Sequence, residues 1–298
     1  TLDVRVSNLP TVNGEKCVIR ILATGDVGVR KITDLGMTPY NYDRFSRLIK
    51  VPQGVMLVTG PTGSGKTTTL YAALGELAKP NVNVITVEDP VEKNIEGINQ
   101  CQVNAKAGMT FAAALRSILR QDPDIVMVGE MRDQETAEIA IRAAITGHMV
   151  LSTLHTNDAA STITRLVDMG VAPYMVATSL IGIVAQRLCK VVCNECKTPR
   201  MSTPEENELL GITESATIYD ACGCPKCNNT GYTGRTAIHE ILLCTHEMAS
   251  LIAADGKVDA ISSLAKEQGC KLLRDNVAEL VLEGRTTLDE LVKLTFAV

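Results

Sequence analysis

Gly60, Pro61, Thr62, Gly63, Ser64, Gly65, Lys66 and Thr67 stand between an apolar run at residues 55–58 and the helix-compatible stretch TTTLYAALGELAK. The pattern G-x-x-x-x-G-K-[ST] constrains the fold beyond a local turn, because it works only as strand, loop and helix in that order. Its glycines let successive backbone N–H groups turn inward around a phosphate, and the following helix adds its positive dipole end. Lys66 contributes a point charge and Thr67 a hydroxyl for Mg²⁺, so residues 60–68, Thr68 included, form the expected triphosphate-binding segment.

The chain around this loop repeats the same alternation. GVMLVTG, NVITVED, DIVMVGE and HMVLSTLH read as near-continuous apolar strands, and TFAAALRSILR and QETAEIAIRAAI between them carry helical periodicity. Such alternation predicts a parallel sheet covered on both faces, that is, an α/β core. We expect residues 1–24 to be the end of a preceding β-containing domain, 25–50 a linker with a helix over 41–49, and 51–187 the nucleotide-binding core. Residues 188–235 lose the rhythm and become rich in Cys, Gly and Asn; from 236 to 298 the chain reads as mostly helical.

Ligands of parallel α/β sheets gather at the carboxyl ends of the strands. Those ends carry Glu88, Asp89 and Pro90 after NVITV, Glu130 after DIVMVG, and His155 after MVLSTL, with His148 just before that last strand. Phosphoanhydride hydrolysis asks a protein for a placed water, a metal and compensation of charge on the γ-phosphate. Glu130 is the first candidate to activate the water and Glu88 the second. His155 is placed for sensing the γ-phosphate, although a polar loop residue would look the same.

Cys193-x-x-Cys196 and Cys224-x-x-Cys227 are separated by 27 residues and flanked by turn formers. Two such pairs can place four thiolates around one Zn²⁺, which would clip a poorly cored lobe and leave no open coordination site for catalysis. Reduced cysteines or a redox pair are the alternative, and Cys189 and Cys222 lie near enough in sequence to substitute as ligands. Cys17, Cys101, Cys244 and Cys270 sit singly and read as small core residues. Cysteines beside an ATP site suggest a reducing cytoplasm.

At the amino-terminal end, LDVRVSNL and EKCVIRIL read as two strands joined by Asn13 and Gly14. Arg5 and Arg20 each interrupt an apolar stretch of these strands. They either extend to solvent or reach the triphosphate from a neighbouring domain or subunit.

GPTGSGKTT, ITVEDPVE, LRQDPDIVMVGEMRD and TGHMVLSTLHTNDA together resemble the Walker A, aspartate, Walker B and histidine boxes of bacterial secretion ATPases, over essentially the whole chain. The tetracysteine segment narrows the resemblance to the assembly ATPases of type IV pili and type II secretion, since the pilus retraction ATPases lack it. The resemblance implies a RecA-like core in a cytoplasmic homohexamer that hydrolyses ATP, with Mg²⁺, to drive an inner-membrane platform protein during filament assembly. It assigns Lys66 and Thr67 to the phosphates and metal, Glu130 to the Walker B glutamate, His155 to the histidine box, and Arg5 and Arg20 to arginines carried to the nucleotide. Gly129 stands where many P-loop enzymes have a second acidic residue. The amino-terminal domains that give the family its peripheral membrane association are expected to be missing from this stretch, which has no initiator Met. EGINQCQVNAKAGMTF and LRDNVAELVLEGRTTLDEL look slightly closer to pilus assembly enzymes.

A RecA-type nucleic-acid translocase would share the core, but a net charge of −5, 3% aromatic residues and no Trp supply neither a basic channel nor stacking platforms. A nucleotide-controlled binding module without turnover would not need the carboxylates at the strand ends.

Overall fold

The computed structural model describes residues 4–21 and 30–296, apart from the side chains of Arg5, Arg20, Ile21 and Phe296. Strands β1 (Val4–Thr11) and β2 (Gly14–Ile21) form the expected hairpin, turning at Val12 and Asn13 with Gly14 at φ 109°. Its register sets Arg5 opposite Arg20, so both occupy one rung. Whether either guanidinium reaches a nucleotide lies outside the described residues. Cys17 is exposed on this hairpin, contrary to the expectation of a core residue, because a two-stranded ribbon has no interior.

Helix α1 (Pro39–Leu48) starts on a Thr38 hydroxyl that accepts from the Asn41 N–H, with Pro39 in its first turn. The core follows: β3 (Gly54–Thr59), α2 (Lys66–Leu77), β4 (Val84–Glu88), β5 (Asn99–Gln102), α3 (Phe111–Ile118), β6 (Ile125–Val128), α4 (Gln134–Ile145), β7 (Met149–Leu154), α5 (Ala159–Asp168) and α6 (Pro173–Ser179). Then come β8 (Leu180–Val192), β9 (Thr198–Met201), α7 (Pro204–Leu210), β10 (Thr217–Asp220) and β11 (Tyr232–Leu243). Helices α8 (His246–Ala253), α9 (Val258–Glu267), α10 (Leu273–Leu282) and α11 (Leu288–Phe296) complete the chain.

Seven strands form one sheet in the order β11-β8-β3-β7-β6-β4-β5. All its pairings are parallel except β8 with β11. The period-two alternation of a strand explains how its apolar runs serve two cores. Val55 and Leu57 face the layer built on α3 to α6, α8 and α9, while Met56 and Val58 face the layer built on α1 and α2. All four are at most 1% exposed.

Two long strands depart from the sequence reading. Residues 180–192 and 232–243 pair antiparallel and belong to the main sheet, so positions 187/188 and 235/236 fall inside strands and residues 236–243 are extended. The first half of β8 is flanked by both β3 and β11, whereas beyond Ala185 only β11 remains beside it. Arg187 and Lys190 therefore interrupt its apolar pattern where the sheet thins. Between the distal ends of this pair sits the cysteine lobe, whose Ile218 and Leu210 share a small core with Val277, Val281 and Leu291 of α10 and α11.

Glu240, on β11, ties two layers together. Its buried carboxylate accepts from Ala159 N (2.9 Å) and Leu273 N (3.1 Å), the first residues of α5 and α10. Burial raises its pKa, and the two N–H donors at helix starts pull it back.

Candidate functional site

The loop after β3 ends on Gly65, the cap of α2, at φ 88°, and a Cβ there would meet Gln186 Nε2 at 2.9 Å. Glycine is required on both counts. Gln186, on β8 and 2% exposed, donates from Nε2 to Ser64 O (2.7 Å) and accepts from the Thr69 hydroxyl (2.6 Å). One amide thus braces the loop to the helix it feeds.

Lys66 folds back over the loop and donates to Gly60 O (2.8 Å) and Pro61 O (3.1 Å). Burial lowers its pKa, against the field of Glu130. A buried cation served only by neutral carbonyls, beside the orphaned buried hydroxyl of Ser64, fits an anion better than it fits the bare loop.

A cavity of about 390 Å³ opens over this loop, lined among others by Lys66, Thr67, Glu88, Asp89, Glu130 and His155. Four parallel strands, β3, β4, β6 and β7, deliver those groups from their carboxyl ends. Thr62, Gly63, Ser64, Gly65 and Thr68 line it too, while Gly60 and Pro61 meet the lysine through their carbonyls. His148 is not brought there: its Nδ1 lies 2.9 Å from Ala143 O at the end of α4.

The two glutamates sit in different surroundings. Glu130 is paired with Arg132, lies 3.4 Å from His155 Nε2 through its other oxygen, and is in the field of Lys66. Arg132 in turn lies 3.9 Å from Asp89, and the hydrogen bond to Glu130 raises its already high pKa. Glu88 is 3% exposed and is held by three uncharged donors: Tyr71 Oη on Oε2, with Thr86 Oγ1 (2.6 Å) and Gln100 Nε2 (3.0 Å) on Oε1. Gly129 sits between the strands that carry them, and a Cβ there would stand 3.3 Å from Val87 O and 3.4 Å from Glu88 Cα. The glycine at 129 thus lets β6 pass close under Glu88, at the cost of the second acidic side chain.

Tyr71, Thr86, Gln100, Gln186 and Arg132 were not singled out from sequence. Arg132 stands two residues from Glu130, and an unpaired Walker B carboxylate was the available signal. The others come from separate segments, and spacing alone does not announce them.

A second cavity, of about 440 Å³, lies on the other side of Gly65 and Thr68 and is lined by Arg30, Asp34, Leu35 and Arg235 among others.

In the lobe, the Sγ atoms of Cys193, Cys196, Cys224 and Cys227 all lie within 4.8 Å of one another. Backbone N–H groups of Gly223, Cys224 and Gly231 point at them, the first at Cys196 and the other two at Cys227, each at 3.2 Å. Four converging sulfurs with N–H donors behind them fit a tetrahedral Zn²⁺. Cys222 and Cys189 stay outside the cluster, bonded to the hydroxyls of Thr198 and Thr286.

A phosphate loop at the carboxyl end of an interior strand of a mostly parallel sheet, with carboxylates on the neighbouring strand ends, defines a P-loop nucleotide-binding protein of the RecA-like class. Residues 1–293 match the family model "Type II/IV secretion system protein", and the chain belongs to that family. It is 48% identical over 296 residues to "Type II secretion system ATPase E" of Vibrio cholerae, covering 99% of this chain and 58% of the relative. It is 49% identical over 298 residues to "Type IV pilus assembly ATPase PilB" of Thermus thermophilus, covering 99% of this chain and 33% of the relative. The chain thus spans between a third and three fifths of these relatives, which do not separate the pilus from the secretion class. Among solved structures, "Pilus Retraction Motor PilT and Bound ADP" superposes with a TM-score of 0.73 at 28% identity, over 98% of this chain and 73% of the other. Among the described residues, no helix is long and apolar enough to cross a membrane.

Proposed function

We propose that this chain is the ATP-hydrolysing motor part of a type IV pilus or type II secretion assembly ATPase. The observation that carries the proposal is the convergence of Lys66, Thr67, Glu88, Glu130 and His155 on one cavity beside a braced phosphate loop. The triphosphate would lie over the loop, with the base and ribose in the adjoining cavity that shares Gly65 and Thr68. Thr67 would hold Mg²⁺, which when bound neutralises charge on the β- and γ-phosphates.

Within this reading, Lys66 leaves its carbonyl partners for the phosphates. Glu130 and Glu88 order the attacking water, the first among cations and the second in a fixed frame of neutral donors. His155, half exposed and facing Glu130, reports the γ-phosphate. Arg5 and Arg20 share one rung, as two arginines compensating charge from a neighbouring domain or subunit would. Cys193, Cys196, Cys224 and Cys227 hold a structural Zn²⁺. The relatives' names support work in a secretion or pilus-assembly machine, and the reading places the chain there as a cytoplasmic homohexamer, peripheral at the inner membrane, acting on a platform protein.

ATP turnover by the chain tests the proposal. Glu130→Gln lowers kcat on the order of a hundredfold or more, Lys66→Ala abolishes nucleotide binding, and DNA leaves the rate unchanged. Stimulation by DNA would favour a nucleic-acid translocase, and full turnover in Glu130→Gln would remove the role given to that residue.

A further inference from the structure

Glu88 and Tyr71 pose a question that the phosphate loop does not answer. Tyr71 lies five positions beyond Lys66 on α2 and one turn beyond Thr67 and Thr68; Leu70 lines the cavity and Tyr71 stands just behind its wall. Its phenol is 6% exposed, and its hydroxyl ends on Glu88 Oε2. The direction of that bond is set from outside: Glu92 N–H donates to the same phenolic oxygen at 3.3 Å, which leaves the phenol's own proton for the carboxylate. Burial, and then the carboxylate itself, raise the phenol's pKa, so it remains a donor throughout the working range.

Oε1 is fixed separately. Thr86 approaches from the same strand and Gln100 from β5. Gln100 has no freedom to turn its amide, because its Nε2 also donates to Lys93 O (3.0 Å) and its Oε1 accepts from Ile95 N–H (2.7 Å). The donors on Oε1 fill that oxygen, whereas Oε2 carries Tyr71 alone and keeps one acceptor position free. Glu88 lines the phosphate cavity, so the free position belongs to a carboxylate that can neither rotate nor retreat.

We infer that Tyr71, with Thr86 as its counterpart on the other oxygen, is a positioning residue that aims the Glu88 carboxylate at the attacking water. The inference rests on the ATPase reading above and on Glu88 taking part in it. It also gives α2 two duties: its first turn holds phosphate and metal, and its second holds the carboxylate. The distance between electrophile and water is then set within one rigid helix.

The test uses the 298-residue chain with Mg²⁺ and ATP. Tyr71→Phe keeps the ring and its packing and removes only the oxygen; Thr86→Val is nearly isosteric and removes the opposite donor. Each is expected to lower kcat by about tenfold or more, with KM for ATP and the affinity for a fluorescent ATP analogue within about twofold of the parent. In a Glu88→Gln background, Tyr71→Phe is expected to change kcat by less than about twofold, since the group it positions is gone. A Tyr71→Phe kcat within twofold of the parent overturns the inference. So does a KM that rises in step, or an effect that multiplies undiminished onto Glu88→Gln. If Glu88→Gln turns over at the parent rate while Glu130→Gln is dead, the inference falls and the ATPase reading stands. A parent chain that hydrolyses no ATP overturns both.

Discussion

Gln186 is the residue whose replacement says most about how the phosphate loop keeps its shape. Gln186→Leu removes one donor and one acceptor from a site that is 2% exposed, leaving Ser64 O and the Thr69 hydroxyl to find new partners. A buried polar group without a partner costs about 1–3 kcal/mol, so the two together cost roughly 2–6 kcal/mol, less what the leucine regains by burial. For a domain of this size that is on the order of 5 °C in Tm. Some of the loss falls on the loop, because Gly65 holds a left-handed conformation directly against the same amide. If re-forming the loop draws about 1.4 kcal/mol from each binding event, nucleotide affinity drops about tenfold. Titration with a fluorescent ATP analogue and a thermal melt measure both quantities. Gln186→Glu serves as a second probe: it retains an acceptor for Thr69 but sets a buried carboxylate against the Ser64 carbonyl, so nucleotide binding and Tm both fall at least as far as in Gln186→Leu. The reasoning fails if Gln186→Leu binds nucleotide within about twofold of the parent and melts within about 1 °C of it, for the loop would then hold its own shape.

Two further expectations concern stability. His239 is fully buried with no partner on Nε2, and burial drives its pKa down to about 3 from 6.5. The unfolded chain therefore binds a proton that the folded one refuses, and this contribution to stability is present above pH 6.5 and lost as pH falls toward 3. It amounts to about 2 kcal/mol by pH 5. The neighbouring Glu240, whose carboxyl is raised, works in the opposite sense over its own range. Urea unfolding at pH 7 and pH 5 should show a smaller difference for His239→Leu than for the parent, and equal differences would refute the assignment. In the cysteine lobe, purified chain should carry about one zinc, and less than about half an equivalent would count against four-thiolate ligation. Cys224→Ser or chelation should then speed hydrogen exchange at the Val192 amide, which donates to Arg285 O (2.9 Å) where the lobe meets the C-terminal helices.

The four central strands were legible because a strand buried on both faces writes itself as an unbroken apolar run. The phosphate loop was legible because its conformation demands glycine. The pairs of cysteines were legible as a spacing, and their sulfurs do converge. Strand β8 was not, since half of it lies beyond the reach of β3, where Arg187 and Lys190 are tolerated. β11 was hidden for a related reason: YTGRTAIHEILL is an edge strand whose His239 and Glu240 are satisfied or shielded by distant helices. The cysteines read as core divide likewise. Cys270 is buried, Cys101 and Cys244 are partly so, and Cys17 is exposed, and only tertiary neighbours make that difference. The frame around Glu88 joins α2, β4 and β5, and no one-dimensional pattern records that Tyr71, Thr86 and Gln100 meet.

Strand β8 has one more consequence. From Gln186, which grips the phosphate loop, to Cys193 at the first sulfur is a run of residues at about 3.3 Å each, or roughly 23 Å of hydrogen-bonded ribbon. The part of β8 up to Ala185 is flanked by β3 and β11, and the run beyond it is paired with β11 alone, with a register shift in that pairing between Tyr232 and Arg235. The far end of β8 is held from the side as well, through Lys190 N on Glu290, Val192 N on Arg285 O and the core that the lobe shares with α10 and α11. One strand thus joins the brace of the phosphate loop to the cysteine lobe and, through it, to the C-terminal helices.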